Sequence, residues 1–379
     1  MDFSHINFRY FRNNMQSIAA LVPLLPGSNI VSGPVDGIMI YSFATPQASY
    51  IFREVEQSKT SSIFIAGGPH PSARPEETLE YFDYVVIGEG ERTLPELTDA
   101  LQNGKDISSI KGMAFKNDGR MIFTGKRESI DLDRYPPFNP DVIHSTIEIT
   151  RGCPFKCAYC QTPQLFGHGM RHRSIDMICR YAKFLKDVRF TSPNAFAYGS
   201  DGIHPRIEKI EALLSSLPRD GNIFFGTFPS EVRPEFISDR LLELVSEHCA
   251  NTTISMGGQS GSQRILDLIR RGHTVEDIVI GAEKCLQHGF TPVVDFIFGL
   301  PYETSDDQLE TLRLIKLLTG KGGKVHSHFF MPLPGTALEG GRPAPLSGEV
   351  GKIMGELALH GKTSGRWSKA GYPYSQQES

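Results

Sequence analysis

Apolar residues in the first third of the chain occur in short runs that alternate with segments of helical periodicity. The apolar runs, which predict β-strands, span 4–9, 36–42, 61–67 and 83–88. Predicted helices lie between them, near 13–25, 46–58, 75–82 and 92–103. Such alternation is typical of a parallel sheet covered on both faces. The segment GMAFKNDGRMIF at 112–123 predicts a hairpin that turns at Asn-Asp-Gly.

A second series of strands and helices begins at Ser145. Its predicted strands span 145–150, 188–194, 222–228, 252–257, 292–299 and 324–330. Six β/α units predict a partial barrel whose functional site lies at the carboxyl ends of the strands. The predicted fold is therefore α/β, with a doubly wound, Rossmann-like domain followed by a partial (β/α)6 TIM-type barrel. Its segments are domain 1–125, linker 126–144, barrel 145–335 and C-terminal extension 336–379.

Composition and charge narrow the class of protein. Hydrophobic residues make up 39% of the chain and charged residues 22%, which is ordinary for a globular enzyme. A net charge of −4 provides no positive field that would favour nucleic acid. No apolar run reaches the roughly 18 residues of a membrane span, and the N-terminus lacks the features of a secretory signal. We therefore expect a cytoplasmic protein, in which disulfides are uncommon.

Three cysteines with C-x3-C-x2-C spacing stand out in the segment ITRGCPFKCAYCQTP. They are Cys153, Cys157 and Cys160, hereafter the cysteine triad. Gly152 and Pro154 disfavour a regular helix here and predict a loop that wraps a ligand. Thiolates are the usual ligands of iron–sulfur clusters, and three of them on a four-iron cluster leave one iron open.

A zinc ion is the alternative occupant of this loop. A structural zinc site needs a fourth ligand, which His168 or His172 could supply. The other cysteines, Cys179, Cys249 and Cys285, fall on apolar helical faces and are expected in the core. A second cluster is therefore not expected.

The triad, placed after the strand that opens the β/α series, resembles the radical S-adenosylmethionine (SAM) superfamily over about residues 145–335. The segments SMGGQSGSQRILDLIRRGHT (255–274), FIFGLPYET (296–304) and HFFMPLPGTALE (328–339) are similar to the family's later strands. Glycine at strand ends lets a bulky ligand approach the backbone. The resemblance implies a catalytic [4Fe–4S] cluster on the cysteine triad, with SAM bound to its open iron.

The same resemblance implies further SAM-binding residues. Tyr159 corresponds to the family's aromatic residue that contacts the adenine. Asn194, within SPNAFAYGSDG (192–202), is the candidate for the methionine amine, although this segment lacks the acidic ending of the common Gly-Gly-Glu form. The other candidates are Ser230, Glu231 and Arg233 for ribose and carboxylate, with Gly257 and Gln259 on the fourth strand.

The N-terminal domain resembles the cobalamin-binding domain that precedes many radical SAM domains. The similar segments are YSFATPQ (41–47), IAGGPHPSARPEE (65–77) and YVVIGEGERTLPEL (84–97). A doubly wound sheet binds ligands outside the carboxyl ends of its strands. The implied cobalamin-binding residues are Ser42, Thr45, Gly67, Gly68, His70, Gly88 and Glu89. The Asp-x-His-x-x-Gly motif that ligates cobalt in methionine-synthase-like domains is absent, so cobalamin would bind without that ligand.

Several of these residues have a second interpretation. His70 either neighbours the lower side of the corrin or holds its own loop together. Glu89 and Glu91 either contact the cofactor or act as charges at a helix N-terminus. The segment GHGMRHRS (167–174), with Arg171, His172 and Arg173, either contacts a peptide carbonyl or carboxylate or is a solvated basic loop.

Together the two resemblances imply a cobalamin-dependent radical SAM C-methyltransferase. In such enzymes one SAM methylates the cobalt, and a second gives a 5′-deoxyadenosyl radical that removes hydrogen from an unactivated sp3 carbon. That carbon then takes the methyl group from methylcobalamin. The compact layout resembles a group from methanogenic archaea, which implies a peptide or protein substrate such as a glutamine Cα of methyl-coenzyme M reductase. A small-protein or flavin electron donor is expected, and membrane or nucleic acid partners are not.

Three other functions are compatible with part of this sequence pattern. Methylthiotransferases have a similar fourth strand, but they need three N-terminal cysteines for a second cluster, and no cysteine precedes Cys153. A radical SAM reaction without methyl transfer, such as rearrangement, cyclisation or lipid modification, stays open. A binding module that keeps the cluster only for structure is disfavoured by the intact triad with Tyr159.

Overall fold

The structure is a computed structural model that describes residues 5–368. Residues 1–4 and 369–379, which include the start of the predicted 4–9 strand and the polar SQQES ending, lie outside the described residues. By its contacts the chain divides into two units. One comprises Met1–Ile147 and Gln164–Gly167, and the other comprises Glu148–Pro163 and His168–Ser379.

The N-terminal unit is a seven-stranded sheet with helices between its parallel strands. The strands are β1 (Ile6–Arg9), β2 (Asn29–Val31), β3 (Gly37–Ser42), β4 (Ser62–Gly67), β5 (Tyr84–Val86), β6 (Met113–Asn117) and β7 (Arg120–Phe123). The helices are α1 (Met15–Leu21), α2 (Ala48–Glu56), α3 (Pro69–Ala73), α4 (Pro75–Thr78) and α5 (Gly90–Asn103). The spatial order is β2-β1-β3-β4-β5-β6-β7, parallel as far as β5 and antiparallel beyond it. The predicted α/β sheet and hairpin are confirmed.

Helices cover both faces of this sheet, and β3 is buried along its whole length. Ile38 and Ile40 point to the face covered by α1 and α5. Met39 and Tyr41, which alternate with them, point to the face covered by α2. Because successive side chains of a strand point to opposite faces, a strand buried on both sides has an unbroken apolar sequence. This is why GIMIY gave a clear prediction.

The remaining strands are β8 (Ile147–Glu148), β9 (Thr150–Arg151), β10 (Arg171–His172), β11 (Asp187–Thr191), β12 (Asn222–Phe224), β13 (Thr253–Gln259), β14 (Thr291–Phe298), β15 (Lys324–Phe329) and β16 (Thr363–Arg366). The remaining helices are α6 (Thr162–Phe166), α7 (Ile175–Ala182), α8 (Ile207–Ser216), α9 (Asp239–His248), α10 (Gln263–Leu268), α11 (Val275–Gln287), α12 (Ser305–Gly320) and α13 (Gly348–Leu359). No helix among residues 5–368 is long and apolar enough to cross a bilayer.

The barrel strands form two neighbouring arcs. One has the order β12-β11-β8, and the other is the parallel series β13-β14-β15-β16. A parallel bridge between Val232 and Met256 connects the segment after β12 to β13. The six predicted strands are confirmed. The structure adds β16, which follows α13 in the region predicted as a C-terminal extension and pairs with β15.

Capping bonds fix the helices next to the carboxyl ends of β13 and β14. α12 begins after Thr304, whose hydroxyl accepts from the backbone N–H of Asp307, while the Asp307 carboxylate accepts from the N–H of Thr304 at 2.7 Å. α11 begins with the same reciprocal capping box between Thr274 and Asp277. Asp307 also accepts a 2.7 Å bond from the hydroxyl of Ser262, which ties the start of α10 to α12. The loops at this end of the barrel are therefore held in place.

Candidate active site

The cysteine triad lies in the loop between β9 and α6. The loop leaves β9 at Gly152, whose φ of +88° is in the region that favours glycine. The backbone N–H of Ala158 donates to the carbonyl of Ile269 at 2.9 Å, and its carbonyl accepts from Leu338 at 3.1 Å. The loop is thus pinned between the segments that follow β13 and β15, as a ligand-wrapping loop requires.

The thiols of the triad lie in a partly buried loop, with Cys157 buried and Cys153 and Cys160 half-buried. Burial, with the neighbouring Cys160 and Cys157, raises the pKa of the Cys153 thiol. Thiolates are the usual ligands of iron–sulfur clusters, so the chemistry of the three side chains fits the cluster that the resemblance implies.

His172, one of the two candidate fourth ligands of a zinc ion, has both ring nitrogens engaged within the protein. One ring nitrogen of His172 bonds to the hydroxyl of Thr150 at 2.9 Å, and the other to the carbonyl of Ser200 at 2.7 Å. Arg173 is 2% exposed and donates to the carbonyl of Glu148 at 3.0 Å. These two side chains of the 167–174 segment therefore brace the first barrel strand rather than form a solvated loop.

Arg271 connects the triad to β13. Its Nη1 donates to Sγ of Cys157 at 3.7 Å, and its Nη2 donates to the carbonyl of Gly257 at 3.0 Å. Burial opposes its charge, but the nearby Tyr159 and Cys157 outweigh burial, so the pKa of Arg271 is raised and it stays cationic. A cation therefore donates a hydrogen bond to one sulfur of the triad, the element that binds iron.

Arg233 is buried and fully engaged within the protein. Its Nε donates to Glu235 at 2.5 Å and its Nη2 to the carbonyl of Arg271 at 2.5 Å. Its guanidinium carbon lies 3.5 Å from the ring centroid of Phe155, inside the cysteine loop. Arg233 thus contacts both the cysteine loop and the backbone of Arg271, and its contact with SAM stays a prediction.

Two buried donors in this region have no acceptor among residues 5–368. The Oδ1 of Asn194 accepts from the backbone N–H of Arg233 at 3.4 Å, which leaves its Nδ2 as a donor. Neither this Nδ2 nor the Nε of Arg271 has a partner, although both atoms are buried. An unsatisfied buried donor costs about 1–3 kcal/mol. The pair therefore fits an anionic ligand such as the carboxylate of SAM.

A carboxyl pair lies at the next strand. Asp295 on β14 hydrogen-bonds to the side chain of Glu231, and burial together with Glu231 raises the pKa of Asp295 well above its usual range. Asp295 stands beside Gly257 in the strand register. A Cβ on Gly257 would lie 2.5 Å from Nε2 of Gln259 and 2.7 Å from Nη2 of Arg271. A side chain at position 257 would therefore displace the ends of Gln259 and Arg271 from the space over β13.

The other predicted SAM residues are placed less directly. Ser230 is 1% exposed and its hydroxyl bonds to that of Ser192 at 2.6 Å, so it connects the segments that follow β11 and β12. Tyr159 is half-buried in the loop beside Cys160. Gln259, at φ +72°, lies where the register of β13 and β14 shifts. Arg271 and Asp295 were missed, and the one local signal was a charged residue within the apolar run PVVDFIFG.

The predicted cobalamin residues gather at one edge of the N-terminal sheet. β3 ends at Ser42 and β4 at Gly67. Gly68 has φ +95°, and a Cβ there would lie 2.9 Å from the backbone of Phe43. The N–H of Gly88 donates to the hydroxyl of Ser72 at 2.9 Å. Three strand-end loops thus meet in a small-residue edge where a large ligand can approach the backbone.

His70 and Glu89 have internal partners at this edge. His70 is 4% exposed, stacks on Phe43, and bonds through Nδ1 to the hydroxyl of Thr45 at 3.2 Å. Burial lowers its pKa and keeps it neutral. Glu89 accepts from the backbone N–H of Ile130 at 2.8 Å. These contacts favour the loop-holding interpretation of His70.

Comparisons with known proteins agree with this arrangement. The family model of the radical SAM superfamily matches residues 147–315, and that of the B12 binding domain matches residues 29–98. The matched residues thus form a radical SAM domain with a B12 binding domain ahead of it. The predicted pair of domains is confirmed, and with it the set of cofactors that such domains imply, a [4Fe–4S] cluster, SAM and cobalamin.

Individual relatives are distant. An uncharacterised methyltransferase of Pyrococcus horikoshii is 26% identical over 292 residues, which cover 71% of this chain and 61% of that protein. Bacteriochlorophyllide d C-8(2)-methyltransferase of Chlorobaculum tepidum is 25% identical over 295 residues, covering 73% of this chain and 60% of that protein. The chain thus spans about three fifths of the length of these relatives.

A solved structure shares the fold. The radical SAM methyltransferase TsrM of Kitasatospora setae, with cobalamin and a [4Fe–4S] cluster bound, superimposes with a TM-score of 0.67. Sequence identity is 15%, and the match covers 89% of this chain and 77% of that one. The likeness supports the predicted order of a cobalamin-binding fold followed by a radical SAM barrel.

Proposed function

We propose that the chain is a cobalamin-dependent radical SAM methyltransferase that methylates an unactivated sp3 carbon. The observation that carries the proposal is the pair of buried donors, Nδ2 of Asn194 and Nε of Arg271, which lack acceptors beside a cysteine triad suited to a cluster. The methyltransferase names of the two relatives support the choice of methyl transfer.

Each side chain of the site has a task in this proposal. The cysteine triad holds the cluster, and Arg271 donates a hydrogen bond to the sulfur of Cys157. Asn194 and Arg271 bind the carboxylate of SAM, which would satisfy their unpaired donors. The SAM amine and ribose fall to the pair of Glu231 and Asp295 together with Gln259, and the adenine to Tyr159.

Cluster, SAM and cobalamin supply the electron transfer, hydrogen abstraction and methyl donation when they are bound. The protein contributes positioning rather than acid–base chemistry. Arg233 and Phe155 stiffen the cysteine loop, and the capping box of Thr304 and Asp307 holds the loop after β14. Rigid placement of reacting groups supplies much of the rate in such a site.

The small-residue edge of the N-terminal sheet is the proposed cobalamin site. Ser42, Gly67, Gly68 and Gly88 would lie against the cofactor, with Glu89 at the start of α5. His70 and Thr45 would hold the loops behind them rather than ligate cobalt. The sequence lacks the Asp-x-His-x-x-Gly motif, whose histidine ligates cobalt in methionine-synthase-like domains. This supports binding of cobalamin without that histidine ligand.

For the substrate we propose a residue in a peptide or protein, modified after translation in the cytoplasm. The candidate implied by the resemblance to methanogen enzymes is a glutamine Cα of methyl-coenzyme M reductase. A small-protein or flavin donor would reduce the cluster. A reaction of another type, such as cyclisation or rearrangement, is the outcome to be distinguished.

The test uses protein purified anaerobically with cobalamin supplied, reduced in the presence of SAM carrying a deuterated methyl group. Wild type should contain about four irons from the cluster and release 5′-deoxyadenosine, and mass spectrometry should find the labelled methyl on the substrate peptide. Cys157→Ala should abolish cleavage, whereas Cys179→Ala, at a half-buried cysteine outside the triad, should retain it.

The outcomes separate the possible functions. Cleavage of SAM without label on any peptide would contradict methyl transfer and favour another radical reaction. Cleavage that persists in Cys157→Ala, or bound zinc in place of iron, would contradict the assignment of the site.

A further inference from the structure

Two histidines stand side by side on β15, outside the residues assigned to SAM. His326 pairs in register with Asp295 on β14 and with Ser364 on β16. His328, two residues on, pairs with Ile297 and Arg366. Residues paired across parallel strands point to the same side of a sheet. His326, His328 and Arg366 therefore share one face.

That face is the one opposite the helices. A Cβ on Gly258 would contact Val294 and Ile278 of α11, so Val294 faces the helical layer. Val325 is its partner on β15 and is also buried. Side chains that alternate with these valines, His326 among them, point to the inner face, where Asp295 meets Glu231.

The two imidazoles form a pair with unused hydrogen-bonding capacity. Their ring centroids are 4.7 Å apart at an interplanar angle of 73°. Nδ1 of His326 bonds to the hydroxyl of Ser364 at 2.8 Å, which sets its orientation. Across residues 5–368 no hydrogen bond or ion pair engages the His328 ring or the Arg366 guanidinium, and both residues are exposed.

The charge around the pair is unbalanced. Arg366 is always cationic, and two imidazoles next to it can each donate an N–H. The acid nearest in register is Asp295, which is hydrogen-bonded to Glu231 and holds a proton more tightly than an ordinary aspartic acid. The inner face of β15 and β16 therefore presents N–H donors and the charge of Arg366, and no carboxylate among residues 5–368 forms an ion pair with His326, His328 or Arg366.

A purely structural role explains only part of this arrangement. β16 is the last strand in the described sheet order, and an exposed arginine on such a strand also discourages pairing with other chains. β15, however, lies between β14 and β16, so its histidines need another explanation. Histidines in a protein core are normally buried and hydrogen-bonded, which His328 is not.

We propose that His326, His328 and Arg366 form a subsite that binds an oxyanion, a carboxylate or phosphate group carried by the substrate. The subsite would orient the substrate at the inner face of the last two strands. It deepens the proposed function and rests on it for the identity of the substrate, whereas binding of the anion itself requires no turnover. A guanidinium with adjacent N–H donors is a common way to bind carboxylate or phosphate.

The test is a titration of the anaerobically reconstituted enzyme, without reductant or SAM, with inorganic phosphate and separately with acetate. The protein carries ¹³C-labelled histidine, and the His326 and His328 signals are assigned from their loss in His326→Gln and His328→Gln. Saturable shifts of both signals are expected, and Arg366→Gln should raise the dissociation constant at least ten-fold. A response to phosphate alone identifies a phosphate-bearing substrate, and a response to acetate identifies a carboxylate.

Matched controls replace residues of the same type elsewhere on the barrel. Arg313→Gln, on the exposed side of α12, and His288→Gln, which breaks an exposed pair with Asp239, should leave the titration unchanged. Absence of saturable shifts, or shifts as strong in Arg366→Gln as in wild type, would overturn the subsite. Anion binding without methyl transfer would contradict the proposed function instead, so the two failures are distinguishable.

Discussion

Arg271 donates a hydrogen bond to the sulfur of Cys157 at 3.7 Å while its other terminal nitrogen holds the carbonyl of Gly257 at 3.0 Å. One side chain thus connects the cysteine loop to β13. Bonds to charged groups contribute about 1.5–3 kcal/mol each. Cys157 is therefore in contact with a residue 114 positions away in the sequence.

Replacing Arg271 should separate cluster binding from SAM binding. In Arg271→Gln we expect iron content to remain near that of wild type, since all three thiols are present. Affinity for SAM should fall at least ten-fold, because a buried donor and its charge are lost. Equilibrium binding of SAM to the reconstituted protein measures this. Arg270→Gln, at the exposed neighbouring position, is the control, and equal losses in both variants would argue against the assigned role.

Asn194→Asp tests the unpaired amide donor. The substitution keeps the shape of the side chain but replaces Nδ2 with an acceptor that carries negative charge. We expect SAM binding to weaken by ten-fold or more through repulsion of its carboxylate, with the cluster spectrum unchanged. Asn117→Asp, in the exposed hairpin, should bind SAM as wild type does. Tighter binding in Asn194→Asp would instead assign this residue to the SAM amine.

The carboxyl pair predicts a pH dependence of stability. Burial and Glu231 raise the pKa of Asp295, so the folded state binds this proton more tightly than the unfolded state. The resulting stability is fully present below the unfolded pKa of about 3.9 and is lost as pH rises toward the raised folded value. The amide of Asp295→Asn stays neutral at every pH, so the variant does not lose this stability as the pH rises.

Thermal unfolding of Asp295→Asn should therefore be less sensitive to pH between 5 and 8 than that of wild type. At pH 8 we expect the variant to be more stable by about 1–2 kcal/mol, since one unit of pKa corresponds to about 1.4 kcal/mol. Asp267→Asn, at an exposed aspartate of the same barrel, should follow the wild-type curve. If the stabilities of wild type and Asp295→Asn varied with pH in parallel, this would contradict the raised pKa of Asp295.

Gly67 and Gly68 provide a matched pair at the proposed cobalamin edge. Gly68 has φ +95° and ψ −172°, a conformation nearly exclusive to glycine, whereas a Cβ on Gly67 meets nothing closer than 3.8 Å. Gly68→Ala should lower the free energy of unfolding by about 1–3 kcal/mol. Cobalamin content after purification should fall with it. Gly67→Ala should keep wild-type stability, and comparable loss in both would show that the strain argument is wrong.

Apart from the hairpin, the strands that the sequence predicted correctly overlap predicted runs of six to eight residues, although several of the strands themselves are shorter. β2 and β16 were missed because NIV is short and TSGR is not apolar. Their extended conformation comes from the backbone groups of β1 and β15, which offer partners to whatever segment lies alongside. A pattern within one segment cannot carry that information.

The same distinction applies to the site. The cysteine triad is local, so its spacing predicted a metal-binding loop directly. Asn194 and Glu231 were selected by position after a strand, but their partners, Arg271 and Asp295, depend on strands that meet only in the folded barrel. Arg233 was selected as a candidate SAM contact from its position after a strand. Its contacts with Glu235, Phe155 and the carbonyl of Arg271 join segments that are apart in the sequence, so only the fold reveals them.

The pairing of β16 with β15 also bears on how the barrel could be shortened. A protein cut after residue 335, where the repeating β/α pattern stops, would leave β15 with an exposed row of amide and carbonyl groups. β15, with its two histidines, would then be an exposed edge strand that can pair with another copy of the protein. We therefore expect that a shortened barrel must include the four residues of β16 to stay monodisperse.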